Sequence, residues 1–495
     1  MLPASSHSQR DDVENFRVET MGYRPSYRRI VSSIGNLALV ISFSSPMTAV
    51  FVISIYNVSF GGYWGLTWGW LIPALLLFPQ CLATAELSSS MPINGVFYWW
   101  TAALAPPSIS RPLSFMVGWA NVLAWTTGLS SFAFAVASSY ASLIPLINPN
   151  WTPDHPQLLG ISIALIVFWA SLSCIRMERF FIFLIITAAS ILLSFLAFVV
   201  GIPASHASQS RPFTAASTAF GEYTSFSEWS DPVAVSMVFF GATWSITGWQ
   251  APACIAEGTH NARVVAPRAI CTSYAIQATM GLLVCYPTAF CTENILDAAS
   301  DPMSFPMFTL VINHWGLNAG VAFLLVCITT LTLGGASQVL GSASIIAAFA
   351  RDGGLPYSAT FARIDSRLNM PVAAMLLLCV CAALILLFAL SEAASSIIYT
   401  LPVVTGFITY SVPIILRVVY PARFQPGPFN YGIFSRPIHA VAAIVMAYFC
   451  IMETFPHSPA WTPATFNYNW VVALSVFMFA AFIWMLADKE DLYNP

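Results

Sequence analysis

The sequence predicts an all-α polytopic membrane protein with twelve transmembrane helices. Two observations lead to this fold class. Of the 495 residues, 58% are hydrophobic and only 8% are charged, with a mean hydropathy of +0.74, whereas soluble domains carry about a quarter charged residues. In addition, the apolar residues fall into twelve separate windows, most of which reach the roughly 20 residues that a helix needs to cross a bilayer.

The twelve predicted spans follow one another along the chain. The third and the eighth are long enough to tilt strongly or to project beyond the membrane. In order, the predicted spans are 31–55, 64–85, 112–145, 158–175, 180–201, 233–254, 268–291, 317–349, 371–391, 395–418, 434–454 and 468–487.

Basic residues provide an independent test of this count, because short cytoplasmic loops retain Lys and Arg. With twelve crossings and both termini in the cytoplasm, every one of the 18 Lys and Arg residues except Arg211 falls on the cytoplasmic side. The first thirty residues contain no apolar stretch of the kind that a cleavable signal peptide needs. We therefore expect a multi-pass protein of the plasma membrane, with the vacuolar membrane as the alternative.

Two predicted spans are interrupted by small polar residues. The first break is Ser42–Thr48 in span 1, and the second is Gly241–Gly248 in span 6. In hydrocarbon, a broken helix leaves backbone N–H and C=O groups unpaired, which is costly unless the break faces protein, water or a solute. Breaks at matching places in two halves of a membrane protein indicate a transporter's binding site. For span 1 taken alone, a kink caused by Pro46 is the alternative.

Spans 1–5 and 6–10 are expected to be two copies of one unit. Because five is an odd number, the second copy would be inverted in the bilayer, and the two broken spans would be symmetry mates. The predicted segments are a cytoplasmic N-terminal segment at 1–30, the first repeat at 31–201, an extracellular linker at 202–232, the second repeat at 233–418, spans 11 and 12 within 419–487, and a cytoplasmic tail at 488–495.

Four short motifs carry a resemblance to a known family. Ala85–Trp100 resembles the AE-L-x-S-x-x-P-x-x-G-G-x-Y-Y-W signature of amino acid–polyamine–organocation (APC) permeases, and Gly248–Ile270 resembles the GWD…EE-x-x-NA-x-x-x-x-PRAI block of the same family. Phe60–Trp70 and Ala350–Pro356 are weaker matches. The resemblance implies the LeuT-like APC fold, in which a 5+5 inverted repeat is followed by two extra helices.

The motifs are most similar to the fungal amino acid, GABA and choline permease branch. Three positions depart from the family pattern: Val96 replaces the second Gly of the signature, Gln250 replaces an acidic residue, and Gly258 replaces the second Glu of the EE pair. In this family the amino acid head group of the substrate sits at the two helix breaks.

The substrate-binding candidates are the polar residues of the two breaks and one aromatic residue. A helix that begins at a break offers free N–H groups and roughly +0.5 of a charge, which suit a carboxylate. Trp244 is expected to cover the substrate or to face its ammonium group, with ordinary helix packing as the alternative. The full set is Ser42, Ser44, Ser45, Thr48, Thr243, Trp244, Ser245 and Gly248.

The resemblance also implies an inner gate near the predicted cytoplasmic ends of spans 2 and 6. The alternatives are packing for the tryptophan of this set and a solvated charge at a helix end for its acidic members, worth under about 1 kcal/mol. The gating candidates are Glu86, Trp249, Arg263 and Arg268, and Glu257 and Arg351 are considered for the same charge network.

The expected coupling ion is a proton, although no acidic residue lies well inside a predicted span. Glu392 and Glu453 are placed at predicted outer ends. The alternative is a sodium site in which Ser342 and Ser344 act together with a serine of the first break. Serines in membrane helices, however, more often serve packing or bond to the backbone.

Other functional classes lack their signatures in this sequence. The seven His and ten Cys residues form no metal-binding spacing, and no hydrolase, metalloprotease or phosphate-binding motif occurs. We therefore predict no enzymatic activity, no cofactor and no metal site. Basic residues are dispersed over separate loops, which argues against nucleic acid as a partner.

Taken together, the sequence predicts a secondary active transporter embedded in the lipid bilayer. It is expected to move a small amino acid or a GABA-like zwitterion by alternating access around spans 1 and 6. One alternative is a permease for choline or another quaternary amine, which would need an aromatic cage because the spans supply no counter-ion. The other is a sensor that binds an amino acid without transporting it, a class that usually carries a long cytoplasmic tail.

Overall fold

The structure is a computed structural model of the 495-residue chain. It describes residues 27, 29, 31–456, 458–463, 466–486 and 493, with the backbone alone for 392–396. The predicted terminal segments 1–30 and 488–495 therefore lie almost entirely outside the described residues. Helices dominate, and the described part of the chain contains no β-strand, only two isolated bridges, Val31–Thr259 and Asp365–Met370.

The predicted first repeat and the linker after it contain eight helices. These are α1 (Ser33–Ser44), α2 (Pro46–Leu76), α3 (Phe78–Ser90), α4 (Val96–Leu104), α5 (Pro107–Ile147), α6 (His155–Ser173), α7 (Met177–Ser208) and α8 (Ala216–Gly221). Because α7 continues to Ser208 and α8 follows it, the predicted linker 202–232 is partly helical.

The described residues of the rest of the chain form twelve further helices. These are α9 (Asp231–Val238), α10 (Phe240–Ser245), α11 (Ala251–Cys254), α12 (Ala262–Cys291), α13 (Ile295–Ala299), α14 (Pro306–Trp315), α15 (Leu317–Arg351), α16 (Ser358–Phe361), α17 (Val372–Ile385), α18 (Glu392–Val419), α19 (Ser435–Met452) and α20 (Asn469–Leu486). Short 3₁₀ turns at Ala256–Gly258, Leu386–Leu390, Pro421–Arg423 and Gly432–Phe434 connect some of them.

Ten stretches of the described chain are long and apolar enough to cross a membrane. The first, Ser33–Ser90, is 58 residues long and bends at Gly62, so it is long enough for the first two predicted spans. This glycine has φ +57° and ψ −135°, a conformation that residues with a side chain rarely adopt. The broken sixth span accounts for the twelfth crossing, since none of its pieces is long enough alone. The all-α polytopic fold class is confirmed.

The helices of the third and eighth spans are long, as predicted. α5 has 41 residues and α15 has 35. At about 1.5 Å per residue, both exceed the roughly 30 Å of a bilayer's hydrocarbon core, so they tilt or extend past it.

The broken spans lie at the centre of the molecule. In Ser33–Ser90, 94% of the most apolar window is buried, compared with 17% in α20. The first helices are therefore surrounded by protein, whereas the last helix presents most of its surface to lipid. α1 packs against α7 and α15, and α2 packs against α10 and α12. This arrangement places both breaks inside a ring of other helices.

The first break is narrower than the sequence predicted. Ser42 and Ser44 belong to α1, and Thr48 belongs to α2, so Ser45 is the one residue between the two helices. Ser44 is the last residue of α1, and its Oγ donates to Val40 O, one turn earlier, at 3.0 Å. Serine and threonine hydroxyls that bond in this way are compatible with a continuous helix.

The second break is displaced from its predicted position. Gly241–Ser245 are helical and belong to α10, and the non-helical stretch is Ile246–Gln250. Thr243 Oγ1 donates to Phe240 O at 3.0 Å, which again satisfies the hydroxyl within the helix. The small polar residues predict the position of this break to within a few residues, but the helix ends later than predicted, at Ser245.

Candidate functional site

The first break is a single residue in the left-handed region of backbone conformation. Ser45 has φ 39° and ψ 62°, and its N–H donates to Ile41 O at 2.9 Å. This is the geometry of a left-handed helix cap. Pro46 is the first residue of α2. The N–H of a residue at this position has no acceptor within the helix, so proline, which lacks an N–H, fits there.

All four hydroxyl groups at the first break bond to backbone carbonyls. Two of these bonds stay within α1 and its cap, and two reach the neighbouring helices α7 and α15. Ser44 Oγ donates to Val40 O, Ser45 Oγ to Ser42 O at 3.2 Å, Ser42 Oγ to Leu184 O at 3.0 Å and Thr48 Oγ1 to Cys327 O at 3.4 Å. The hydroxyl groups of this break therefore already donate their hydrogen bonds within the protein, which leaves them less able to bind a ligand.

The second break is wider and depends on a glycine. α10 ends at Ser245, and the chain passes through Ile246–Gln250 before the short α11. Gly248 has φ +73°, and a Cβ atom at this position would overlap the ring of Phe43 in α1. The two broken spans are thus in direct contact at a point where a side chain does not fit.

A cavity lies beside the two breaks, with about 730 Å³ of space free of protein atoms, counted out to its open mouth. Ser44 and Ala49 line it from the first broken span. The second broken span contributes Thr243, Trp244, Ile246, Thr247, Trp249 and Gln250. The remaining lining residues are Leu77, Gln80, Gly128, Ser131, Phe132, Gln338, Pro402, Val403, Gly406, Phe407 and Tyr410.

The lining of this cavity is polar in places, and the described residues that form it include no Asp, Glu, Lys, Arg or His. The buried Oε1 atoms of Gln250 and Gln338 have no hydrogen-bond partner among the described residues. Gln250 Nε2 donates to Tyr410 Oη at 2.9 Å. A buried oxygen without a partner costs about 1–3 kcal/mol. The cavity is therefore suited to a ligand that brings N–H donors and no net charge.

Trp244 is both packed and exposed to the cavity. Its Nε1–H donates to Ser131 Oγ at 3.1 Å, and its ring meets Tyr399 at 5.9 Å between centroids with an interplanar angle of 66°. The sequence analysis treated packing and substrate contact as alternatives. In the structure the ring both lines the cavity and contacts Ser131 and Tyr399.

Three of the eight predicted binding residues line the cavity: Ser44, Thr243 and Trp244. The other five lie outside its lining, where they shape or brace the two breaks. These are Ser42, Ser45, Thr48, Ser245 and Gly248.

The sequence analysis missed polar residues that reach the cavity from unbroken helices. They are Gln80 of α3, Ser131 of α5, Gln338 of α15 and Tyr410 of α18. The available signal was a glutamine inside an apolar span, because an amide in hydrocarbon needs a partner. Sequence alone does not say which of these side chains face the same space.

Glu86 does not meet the arginines with which the sequence analysis grouped it. Ser435 Oγ donates to Glu86 Oε2 at 2.7 Å, and the Tyr431 N–H donates to Oε1 at 3.3 Å. His439 Nδ1 lies 3.6 Å from Oε2. Glu86 thereby ties α3 to the start of α19, and its role in a gate stays a prediction.

The other gating candidates differ in their contacts, and Arg263 joins α12 to α3. Arg263 Nε donates to Ser89 O at 3.1 Å, and Ser89 Oγ donates back to Arg263 O at 2.7 Å. Arg268 is exposed and forms no ion pair with any described residue. Trp249 Nε1 donates to Ile246 O at 3.2 Å, so this tryptophan closes its own turn while it lines the cavity.

A charge network forms around Glu257 at the predicted inner face. Arg351 Nη1 and Nη2 donate to the two carboxylate oxygens of Glu257 at 2.8 and 3.0 Å, the paired geometry that makes such bonds strong. The Asn94 N–H donates to Glu257 Oε1, and the Glu257 N–H donates to Asn94 Oδ1. Tyr98 Oη donates to Asp352 Oδ2 at 2.8 Å. These contacts join the Ala85–Trp100 motif to the sixth span and to the end of α15.

Val96 occupies a strained backbone position inside that motif. Its φ is 47°, which is rare for a β-branched residue. Glycine, the residue of the family pattern, adopts this conformation without steric cost. The departure from the pattern therefore carries a conformational penalty.

The serines of the alternative sodium site are mostly paired with backbone carbonyls. Ser344 Oγ donates to Leu340 O at 2.9 Å, and the serines of the first break are paired as described above. Ser342 Oγ has no partner among the described residues. One free hydroxyl does not make a sodium site, and the alternative gains no support.

Comparison with known proteins relates the whole membrane region to one family. The family model described as amino acid permease matches residues 32–477. An uncharacterized amino-acid permease of Schizosaccharomyces pombe is 28% identical over 464 residues, covering 92% of this chain and 83% of the relative. The GABA-specific permease of Saccharomyces cerevisiae is 26% identical, covering 97% and 86%. Amino-acid permease 2 of Neurospora crassa is 25% identical, covering 100% and 90%.

Proposed function

Because the chain belongs to the amino acid permease family, whose members transport amino acids, we propose that it moves a small zwitterion, such as GABA or alanine, across its membrane. We propose further that it is a secondary active transporter that works by alternating access around the two broken spans, with a proton as the coupling ion.

The observation that carries this proposal is the uncharged cavity beside the breaks. A ligand with a net charge would need a counter-charge at a dry site, and no charged side chain lines the cavity. A zwitterion has no net charge, and its two ends need hydrogen bonds of opposite kinds. The free Oε1 atoms of Gln250 and Gln338 suit the ammonium end.

The carboxylate end has a different candidate site. α2 is 31 residues long and starts at Pro46, immediately after Ser45. The first N–H groups of such a helix lack partners within it, and they attract an anion. Ser44 and Ala49 line the cavity on either side of this helix start, so a carboxylate in the cavity would lie beside it. The hydroxyl group of Thr247 is available from the second break.

A quaternary amine is the second candidate substrate, because the cavity is rich in aromatic side chains. Phe132, Trp244, Trp249, Phe407 and Tyr410 line it. Aromatic faces attract quaternary ammonium groups, with about 0.5–2 kcal/mol per contact. Choline would use these rings and would leave the amide oxygens without donors.

The test is uptake by purified protein in liposomes. Labelled GABA, alanine and choline would be offered separately, with and without an inward proton gradient. We expect saturable uptake of at least one zwitterion, increased by the gradient, and little uptake of choline.

Other outcomes would separate the alternatives. Choline uptake without zwitterion uptake would move the quaternary amine to first place. If no substrate is taken up but GABA or alanine raises the melting temperature of the folded protein, the protein would behave as a sensor instead of a transporter.

A further inference from the structure

Glu453 is buried, although the sequence analysis places it at an outer helix end. It follows α19 directly and is 7% exposed. Its backbone carbonyl accepts hydrogen bonds from Asn467 Nδ2 at 3.1 Å and Asn469 Nδ2 at 2.9 Å. These two amides fold the chain after α19 back over the end of the helix. The carboxyl group is thereby enclosed between helices instead of facing water outside the membrane.

In the part of the chain that the structure describes, Glu453 has no positively charged partner. Among the described residues it forms no ion pair, and the titratable side chains near it are Tyr56 of α2 and Cys450 of α19. Neither carries a charge at neutral pH in its ordinary state. Burial raises the pKa of the Glu453 carboxyl, one residue beyond the end of the apolar helical stretch Gly432–Met452, to about 8, and a hydrogen bond from Thr243 acts in the opposite direction. The Glu453 carboxyl group is therefore expected to bind and release its proton close to physiological pH.

The Thr243 hydroxyl lies within hydrogen-bond distance of two oxygen atoms. Its Oγ1 lies 3.0 Å from Phe240 O and 3.0 Å from Glu453 Oε1. A hydroxyl has one hydrogen to donate, and a carbonyl and an ionised carboxylate can only accept. With Glu453 ionised, one of the two contacts lacks a hydrogen. With Glu453 protonated, its O–H donates to Thr243 Oγ1 while Thr243 donates to Phe240 O, and both contacts are satisfied.

Thr243 connects this carboxyl group to the substrate cavity. It lines that cavity, and it lies three residues before the non-helical stretch Ile246–Gln250. Glu453 itself lines a second cavity of about 530 Å³ of empty space together with Tyr56, Phe240 and Asn467. One threonine thus contacts the substrate cavity on one side and a buried acid on the other.

We propose that Glu453 is the proton-binding site of this transporter and that Thr243 transmits its protonation state to the second break. This inference rests on the proposed transport function. Glu453 takes up a proton from water on the predicted outer side through the second cavity, and it releases the proton to water when that end of the site closes and the other opens. When the proton leaves, the Thr243 hydrogen turns from Phe240 O to the carboxylate, at the last turn before the break.

The experiment compares Glu453→Gln with wild-type protein in liposomes. The amide resembles the protonated acid in shape but cannot release a proton. We expect Glu453→Gln to lose gradient-driven accumulation of GABA or alanine by about tenfold or more, while it retains exchange of labelled for unlabelled substrate. Wild-type uptake should fall as the outer pH rises through about 8, and the variant should lack this dependence.

Glu228→Gln is the matched control. Glu228 is exposed on the same predicted outer face and accepts a hydrogen bond from Ser458 Oγ at 2.9 Å. Its replacement should leave accumulation and its pH dependence unchanged. A melting curve for each variant shows that the protein is folded.

Thr243 provides a second test through the pH midpoint. Thr243→Ser keeps the hydroxyl and should keep the wild-type midpoint of uptake against outer pH. Thr243→Val removes the bond that stabilises the ionised carboxylate. It should raise the midpoint by up to about one pH unit, together with weaker substrate binding because Thr243 lines the cavity.

The outcomes distinguish the two proposals. Wild-type uptake that responds to the proton gradient equally in Glu453→Gln would overturn the assignment of Glu453 alone. Wild-type uptake that ignores the gradient would overturn the proton-binding role as well. Wild-type protein that takes up neither zwitterion would overturn the proposed function and the coupling role together. Infrared titration adds an independent readout, since a protonated carboxyl band that disappears in Glu453→Gln is expected near neutral pH.

Discussion

The two broken spans occupy corresponding places in the predicted repeats, but the structure builds them differently. The first break is one residue wide, and its hydroxyl groups are all bonded to backbone carbonyls. The second is five residues wide, and four of these residues line the cavity; its whole span supplies six lining residues, against two from the first broken span. From this difference we infer different roles for the two breaks. The first is held in place by neighbouring helices, and the second is the surface that would contact the substrate.

The physical basis of this difference is the partner that each break has for its polar groups. At the first break, Ser42 and Thr48 reach carbonyls of α7 and α15, so two neighbouring helices hold it in place. At the second break, Gln250 Oε1 and Ser245 Oγ lack partners among the described residues. Polar groups without partners mark the region of a protein where a ligand or a change of conformation can lower the free energy.

The largest effect is expected from Gly248→Ala, at the contact between the two breaks. The new methyl group would overlap the Phe43 ring, and φ +73° is unfavourable for alanine. Overpacking and backbone strain together predict a loss of about 2–4 kcal/mol in the free energy of unfolding. Thermal unfolding of purified protein would measure it, with uptake abolished.

Gly160→Ala is the control for this change, since a Cβ atom at Gly160 would meet no atom within 4 Å. It should leave the melting temperature close to the wild-type value. In a Phe43→Ala background, Gly248→Ala should cost less stability than it does in the wild-type protein, because the overlap is absent. If Gly248→Ala alone melts like wild type, the two breaks are not in the close contact described here.

The next largest effect is expected from Trp244→Ala at the second break. The side chain lines the cavity and is oriented by Ser131 and Tyr399. Its loss should raise the KM for uptake by about tenfold or more, as expected for a large aromatic contact. Trp244→Phe keeps a ring but not the N–H and should be intermediate. Trp461→Ala, at a tryptophan 52% exposed, is the control, and equal kinetics for the two alanine variants would contradict a substrate contact.

A smaller effect should separate the hydroxyl groups of the two breaks. Thr247 lines the cavity from the second break, and Ser44 lines it from the first with its hydroxyl already bonded to Val40 O. Thr247→Val should therefore raise the KM about five- to tenfold, the value of one hydrogen bond, whereas Ser44→Ala should change it less than about twofold. The reverse order in the measured uptake kinetics would mean that the first break, not the second, provides the binding hydroxyl.

Sequence patterns were sufficient for the fold, because hydrophobic length and charge alternation are averaged over many residues. The position of each break depended on single hydroxyl groups. Ser44 and Thr243 looked like helix breakers, but both lie in helices, and their hydroxyl groups bond to carbonyls one turn earlier. The choice between these two behaviours depends on backbone geometry, which composition does not encode.

The missed residues share one property, which is that their role depends on other parts of the chain. Gln80 and Gln338 matter because α3 and α15 bring them to the same cavity. Glu453 looks like an outer-end charge until Asn467 and Asn469 fold the following segment over it. Contacts of this kind bring together residues that are distant in sequence, and local patterns do not reveal them.

The smallest expected effect tests whether Ser45 really sets the shape of the first break. In an ordinary helix, alanine is more stable than glycine by about 0.5–1 kcal/mol. At φ 39° the order should reverse, because glycine alone adopts the left-handed region without steric cost. Ser45→Gly should therefore exceed Ser45→Ala in the free energy of unfolding by about 1 kcal/mol. Both variants lose the bond from Ser45 Oγ to Ser42 O, so the difference between their stabilities reports the backbone conformation alone.

Thermal unfolding of the two proteins would measure this difference, and neither should alter the KM for uptake, since Ser45 lies outside the cavity lining. A more stable alanine variant would mean that the first break relaxes into a continuous helix, and the contrast between a braced break and an open one would then need another cause.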